Sequence, residues 1–313
     1  MSNRLASISS SPVIREFAQG AAQHAIQPVA EFLAPTVPVA TSIGKYKIYD
    51  EKNRFHLPDT FRGIGGRATE LSFDVSDATY NCQPHALDYP IDHLEALEQA
   101  GIENALQEGA TMIAEVAALA HEKSVIDAAL AAAGLGDDLD WTGSSATDPV
   151  DDLDAKILDV IKAAKYGSLM GVGVLFGASA WKLFKNASPV IDRFTVGHTA
   201  AESAVAVPTE ADAGTLFVGR PQVRASYMVA DAAAEGLPED VSFLLDSTVL
   251  VFARMEQPTR RDPSFMKTFR LMNQYMVPGS YLREDGRVEV AKFDWSEDVK
   301  VTNSSAIARL NVS

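Results

Sequence analysis

Apolar positions recur at mostly three- and four-residue steps along one long stretch, Ile91 to Ala133. Leu94, Leu97, Ile102, Leu106, Ile113, Val116 and Ala120 form the stripe, and no proline falls between Pro90 and Ala133. That spacing predicts a single amphipathic helix. About 40 residues would make it roughly 60 Å long, far beyond the usual globular helix of about 11–12 residues, so it reads as a strut. Asp92 is the N-cap candidate, with Glu95 three residues on in a near capping box. Glu98, Glu103, Glu108, Glu115 and Glu122 are expected on the solvent side. Gly101 and Gly109 each cost about 1 kcal/mol against Ala in a helix interior. They read either as tolerated residues or as notches where another backbone crosses closely.

Before this helix the pattern is thin in core-forming residues. Residues 12–34 predict a short amphipathic helix through Val13, Ile14, Phe17, Ala21 and Ile26, broken at Pro28. Pro35 and Pro38 make the following segment extended. This arm has no core of its own and is expected to be tied down on its own fold or on a neighbour. The initial Met1 is read as a sign that no N-terminal segment was removed. In 45–80, Tyr46, Ile48 and Phe55 mark one strand region, and Leu71, Phe73 and Val75 alternate in another. Pro58, Gly63, Gly65 and Gly66 lie between. The reading is a long two-stranded excursion with a glycine-rich tip. A lone hairpin is marginal in water, so it must lean on something else.

After the helix, 134–149 reads as a polar loop and Asp151–Lys165 as a helix. Gly171–Phe176 is a buried strand, and Ser179–Asn186 and Pro189–Phe194 are short helices. Thr215–Val218, Val223–Val229 and Val249–Ala253 read as strands, making the middle of the chain mixed α/β. A β-rich tail follows, with strands at Phe265–Tyr275, Tyr281–Leu282, Val288–Phe293, Val299–Val301 and Ile307–Val312. Asp285-Gly286 is a hairpin signal.

Composition narrows the function classes. The 313 residues are 47% hydrophobic, enough for a sizeable core, and no apolar run reaches the length of a membrane helix. The net charge of −15 argues against a dedicated nucleic-acid binder, which needs a basic face. With one cysteine, Cys82, an intrachain disulfide and a multi-cysteine zinc site are both excluded, and a packed structural thiol is the default. The histidines are scattered, and no HExxH, CxxC or DxDxDG pattern occurs. Gly171 to Gly177 lacks phosphate-loop spacing and reads as a glycine-relieved strand. Ser179 lacks the glycines of a nucleophile elbow and reads as a helix N-cap. Arg260-Arg261 reads as a solvated or salt-bridged turn. Asp151, Asp152 and Asp154 are explained by charge bias at a helix start rather than by calcium. No catalytic, cofactor-binding or metal-ligating residue is singled out.

Several short motifs add a resemblance. These are Phe32-Leu33-Ala34-Pro35-Thr36-Val37-Pro38-Val39, Gly44-Lys45-Tyr46, Tyr49-Asp50, Asp59-Thr60-Phe61-Arg62, Tyr80 and His85-Ala86-Leu87. Further on come Val174 to Ile191, with Ser188-Pro189-Val190-Ile191. Together with the order arm, hairpin, long helix, α/β region and β-rich return, they resemble the tailed-bacteriophage major capsid proteins of the HK97-like fold. The resemblance implies an α+β fold in five parts. Residues 1–44 would be an N-terminal arm and 45–80 an extended loop. Residues 81–135 would carry the spine helix of a peripheral domain, 136–255 an axial domain, and 256–313 the peripheral β-sheet return.

It further implies a non-enzymatic protein that self-assembles into hexamers and pentamers of an icosahedral shell around double-stranded DNA, without sequence-specific DNA binding. A separate scaffolding protein, a portal and a decoration or cement protein are the implied partners. The implied location is the virion capsid, after synthesis in the host bacterial cytoplasm. A nanocompartment (encapsulin-like) shell and an α/β enzyme with an unrecognised site stand as alternatives. Finally, the helix region between Asp92 and Glu122 has no Lys or Arg, whereas the excursion carries Arg62 and Arg67 beside its tip. Arg62 and Arg67 are therefore expected to pair with Glu98, Glu103 or Glu108 of a neighbouring subunit.

Overall fold

In this computed structural model the structure describes residues 29–49, 60–62, 64–67, 70, 75–94, 102–142, 146–164, 171–195, 208–231, 233, 236–260, 262, 264–284 and 286–313. The described chain opens with one helical turn, α1 (Ala30–Leu33), then β1 (Thr36–Val39), β2 (Ile43–Tyr49), β3 (Val75–Asn81) and β4 (Gln83–Asp92). The long helix α2 (Ile102–Ala133) follows, then β5 (Asp137–Leu139), α3 (Pro149–Ala164), β6 (Gly171–Phe176), α4 (Ala178–Asn186), α5 (Ser188–Thr195) and α6 (Glu210–Leu216). The rest is β: β7 (Gln222–Ala225), β8 (Val229–Asp231), β9 (Val241–Phe243), β10 (Thr248–Arg254), β11 (Met266–Leu271), β12 (Val277–Leu282), β13 (Val288–Val301) and β14 (Ile307–Val312).

Two five-stranded sheets organise these elements. The first is built on β13. β4 runs antiparallel along residues 288–297 of β13, while β12 pairs 289–294 and β11 pairs 297–301. Because some β13 residues pair with β4 and with β11 or β12, those two strands share the edge opposite β4. β1 joins β11 in parallel and so stitches the arm to this sheet. The second sheet has the order β5-β14-β10-β6-β7. The last strand, expected with the return at 256–313, pairs instead with β10. It therefore lies in the second sheet. β2–β3 and β8–β9 are separate two-stranded ribbons.

The long helix belongs to both cores. Its first half lays Ala110, Ile113, Ala114 and Ala117 against Met276, Phe293 and Trp295 of the first sheet. Its second half places Val125, Ile126 and Ala129 in the large core shared by α3, α4, β6 and β10. The buried face is thus largely alanine, which allows close approach. At Gly109 an added Cβ would lie 2.6 Å from the Tyr89 ring of β4. Gly109 is a real notch, filled by a side chain rather than by a crossing backbone, while Gly101 lies outside the described residues.

Several expectations are corrected. Ile91 and Asp92 end β4 rather than begin the helix, because Ile91 is needed as an inward residue of the sheet, packed on Ala105 and Ala291. Asp92 still accepts from the Leu94 N–H at 2.8 Å, as a cap would. Leu94, Val116 and Ala120 are exposed, so the face is rotated away from the predicted stripe. Glu122 is buried, not solvated. Thr215–Val218 is not a strand. Thr209 forms a capping box with Asp212 and starts α6, which runs to Leu216. Ser179 is not the cap of α4; that position is Gly177, and the free N–H groups of Ser179 and Ala180 are taken by Asp246. Val288–Phe293 and Val299–Val301 are parts of one strand.

The rotated face is testable. Ile113→Ala should cost about 2–4 kcal/mol, because Ile113 is buried against the first sheet. Val116→Ala should change stability by less than about 0.5 kcal/mol, because Val116 is exposed. Urea midpoints of the two variants check this, and equal losses would restore the predicted stripe.

Candidate assembly interface

The elements with the least core of their own are the arm and the 45–80 excursion, so their attachments matter most. β2 and β3 pair antiparallel from Ile43–Asn81 to Tyr49–Val75, so the excursion is two-stranded at its base; its second strand begins at Val75, and Leu71 and Phe73 lie outside the described residues. Its root is clamped on β11. The Tyr80 ring stacks on Phe269 at 4.7 Å between centroids, and Tyr46 packs on the same ring at 5.3 Å. The Tyr80 hydroxyl lies 3.2 Å from Thr41 Oγ1. Gly44 is dictated by this ring, since a Cβ there would sit 2.3 Å from the Tyr80 hydroxyl. Cys82 completes the cluster with Val37 and Val39. Its thiol points at the Phe269 carbonyl, 3.5 Å away. Burial, aided by Asp298 and Glu297, pushes the thiol pKa up, which disfavours a nucleophilic thiolate.

The arm is fastened by hydrogen bonds to one buried side chain. The Glu122 carboxylate, buried in α2, accepts the Val29 N–H at 2.9 Å and the Ala30 N–H at 2.8 Å. It caps α1 from across the fold. Beside it lies a cavity of about 290 Å³ lined by Glu31, His121, Arg270, Tyr275 and Glu297, among others. Within it His121 Nδ1 is 2.9 Å from Glu297 Oε1, and Arg270 donates through Nε and Nη2 to Glu297 Oε2 at 3.2 and 2.9 Å. Arg270 also lies over the Tyr275 ring at 3.9 Å. These bonds lock α2, β11 and β13 together. Burial acts to raise the Glu297 pKa, but His121 and Arg270 outweigh it and hold the carboxyl at about 2. Glu122 goes the other way: burial dominates over the two backbone N–H groups and raises it. Among the described residues no cluster of three or more metal-ligating side chains occurs.

The expected contact residues fall in different places. Arg62 and Arg67 are exposed near the tip, where Phe61 and Ile64 are also exposed at 85% and 109%. Glu108 is exposed on α2. Glu98, and the side chain of Glu103, lie outside the described residues. Among the described residues of one chain, no ion pair joins Arg62 or Arg67 to Glu108.

Comparison with solved structures decides the fold. A phage-related protein from Bordetella bronchiseptica RB50 superposes with a TM-score of 0.69 over 96% of this chain and 97% of that one, at 18% identity. The capsid of cyanophage P-SCSP1u gives 0.55 over 92% and 89%, at 12% identity. The chain has the HK97-like fold. An encapsulin complex from Synechococcus elongatus PCC 7942 shares this fold at 0.52 over 90% and 86%, at 13% identity. In sequence, 77 residues are 34% identical to the major capsid protein of a Pseudomonas phage, JBD67, covering 25% of this chain and 23% of that protein. The match thus spans about a quarter of that relative's length. No protein-family model matches.

Within the HK97-like fold, sequence reasoning missed Glu122, Glu297 and Arg270, whose partners lie far away along the chain. The signal available for Glu122 was an acidic residue between Ala117 and Val125, on the alanine-lined side. Glu297 generates a pH prediction. Its folded pKa, about 2, lies below its ordinary 4.5, so its contribution is present above about pH 4.5 and is lost as pH falls towards 2. The shift corresponds to about 3 kcal/mol. Glu122, being raised, has the opposite sign: its contribution is present below its ordinary value and lost as pH rises through its folded pKa. Glu297→Gln should lower stability at pH 7 by about 3 kcal/mol and flatten the acid fall. Urea unfolding from pH 7 to pH 2 measures both, and parallel pH curves for variant and parent would contradict the assignment.

Proposed function

We propose that this chain is a major capsid protein of a tailed phage, acting by self-assembly into hexamers and pentamers of an icosahedral shell around double-stranded DNA. The observation that carries the reading is the pairing of the HK97-like fold with a 77-residue stretch 34% identical to a phage major capsid protein. The excursion supports it: its root is clamped by Tyr80 and Phe269, while Ile64, farther along it, is exposed. Residues 1–44 act as the arm, 45–80 as the extended loop and 81–135 with 256–301 as the peripheral domain. Residues 136–255 form the axial domain together with β14, which shares its sheet. Scaffolding, portal and decoration proteins are the accessory partners this role calls for, with assembly in the bacterial cytoplasm and residence in the virion.

The nanocompartment alternative rests on the encapsulin likeness. Electron microscopy of purified particles, with assay of their contents, separates the two. Closed shells holding or accepting DNA are expected; shells holding a protein cargo would favour the alternative, and a stable monomer would defeat both.

Arg62 and Arg67 serve as loop contacts to a neighbour's Glu98, Glu103 or Glu108. Their planar forks suit carboxylates, and each contact repeats around a closed shell. Arg62→Glu with Arg67→Glu should block or slow assembly while leaving the subunit folded. A compensating Glu→Arg on the helix should restore it. Normal shells with unchanged salt sensitivity in the double reversal would rule the pairing out.

A further inference from the structure

Three adjacent strands of the second sheet place two arginines over one ring. In register, Arg254 of β10 pairs with Gly171 of β6, Gly173 with Gln222 of β7, and Leu175 with Arg224. Alternation along each strand then puts Arg254, Gln222 and Arg224 on the same face as the two glycines. Phe252 of β10 and Phe32 of the arm together fill the space over Gly173. A Cβ at Gly173 would lie 3.0 Å from the Phe32 ring. The Arg224 and Arg254 guanidinium carbons sit 5.1 and 4.8 Å from the centre of that ring.

Neither arginine has an ion pair among the described residues. Arg254 donates through Nη1 to the Gln222 side-chain oxygen, but its Nε is buried and has no hydrogen-bond partner. Gln222 is in turn held by Glu256 at 2.9 Å. Burial and then Arg224 push the Arg254 pKa down, with Glu256 and Glu31 acting against them. Two guanidiniums beside one another, neither in an ion pair among the described residues, can both donate to one oxyanion through their outer N–H groups.

We propose that Arg224 and Arg254 form a carboxylate-binding notch that receives an acidic side chain from a second copy of this chain. β7 is the outermost strand of its sheet, so the notch lies where another chain can approach. The chain leaving β7 runs into β8–β9, where Tyr227, Val229, Val241 and Phe243 are exposed. Arginine beside aromatic and apolar ground is the composition of a protein interface core. A run of phosphates would find this surface poor. Among the described residues the two arginines stand without the continuous line of cations that a run of phosphates needs. A second copy, with 42 acidic residues, offers the complementary group.

The inference rests on the shell reading, and the experiment separates the two. Full-length Arg224→Glu, Arg224→Ala and Arg224→Lys variants are compared with the parent for circular dichroism, thermal midpoint and the subunit concentration at which shells appear in sedimentation. Arg224 is exposed, so folding should be unchanged. R224E is expected to raise the assembly concentration at least tenfold, R224A less, and R224K to recover most of it. Carbodiimide treatment of R224K shells should join the substituted position to an Asp or Glu peptide of another copy, identified by mass spectrometry. R224E shells forming at the parent's concentration overturn the notch while the shell reading stands. If such shells also hold less DNA, the ligand is phosphate and the carboxylate assignment is wrong. A parent that forms no shells overturns both.

Discussion

One helix shared between two hydrophobic cores is the constraint on which the rest of this structure hangs. The first half of α2 lies on the β13 sheet, and its second half is buried beneath β10 and α3. Neither core can shift without moving the other through the same rod. The junction falls at His121 and Glu122, and both are used as fasteners. His121 ties the helix to Glu297 of β13, while Glu122 caps the arm. Burying a carboxylate is costly unless it is hydrogen-bonded. Glu122 offsets that cost by accepting from two N–H groups at the start of α1, which a single turn cannot satisfy internally.

The same economy of fastening appears at Lys267, which is wholly buried on β11. Its ammonium meets Asp262 at 3.0 Å and the Thr259 carbonyl at 2.8 Å. Asp262 in turn accepts from Ser264. Breaking such a buried pair is strongly destabilising even where its formation adds little. These polar locks therefore specify where the loop entering β11 must lie. β11 carries the hairpin root, through Phe269, and the arm, through β1. The position of both extended elements thus depends on a few long-range polar contacts as well as on the apolar cores.

How much of this was legible in the sequence follows from range. Local signals worked: Gly171–Phe176 is the predicted strand to the residue, and the helices near 149–164, 178–186 and 188–195 fall within a few residues of their patterns. The order arm, hairpin, long helix, α/β region and β return was legible too. The face of α2 was not. Periodicity weighs large apolar residues, whereas close packing against Tyr89 and Phe293 selected Ala110, Ala114 and Ala117 and left Val116 outside. The pairing of β14 with β10 and the partners of Glu122 and Glu297 span many tens of residues, beyond any window of pattern. Of the candidate contact residues, Arg62, Arg67 and Glu108 are exposed. Their partners lie, on the proposed reading, in another copy and so in no single chain.

Rigid roots and core-poor extremities are the same design seen from two ends. Gly44 leaves no room for anything but the Tyr80 hydroxyl, and Tyr80, Tyr46 and Phe269 form one packed stack. The direction in which the hairpin leaves the body is therefore fixed at its base. Farther along it, Phe61 and Ile64 are exposed. A single folded chain gains nothing from holding apolar residues out at the end of a clamped lever, because burial is the main favourable term in folding. An assembling chain does gain. A fixed root sets the angle at which the tip meets a neighbour, which lowers the ordering cost of association, and the apolar tip contributes only when that neighbour is present. In such a chain the stability of the subunit and the stability of an assembly rest on different residues. A subunit can then fold completely before it commits to assembly.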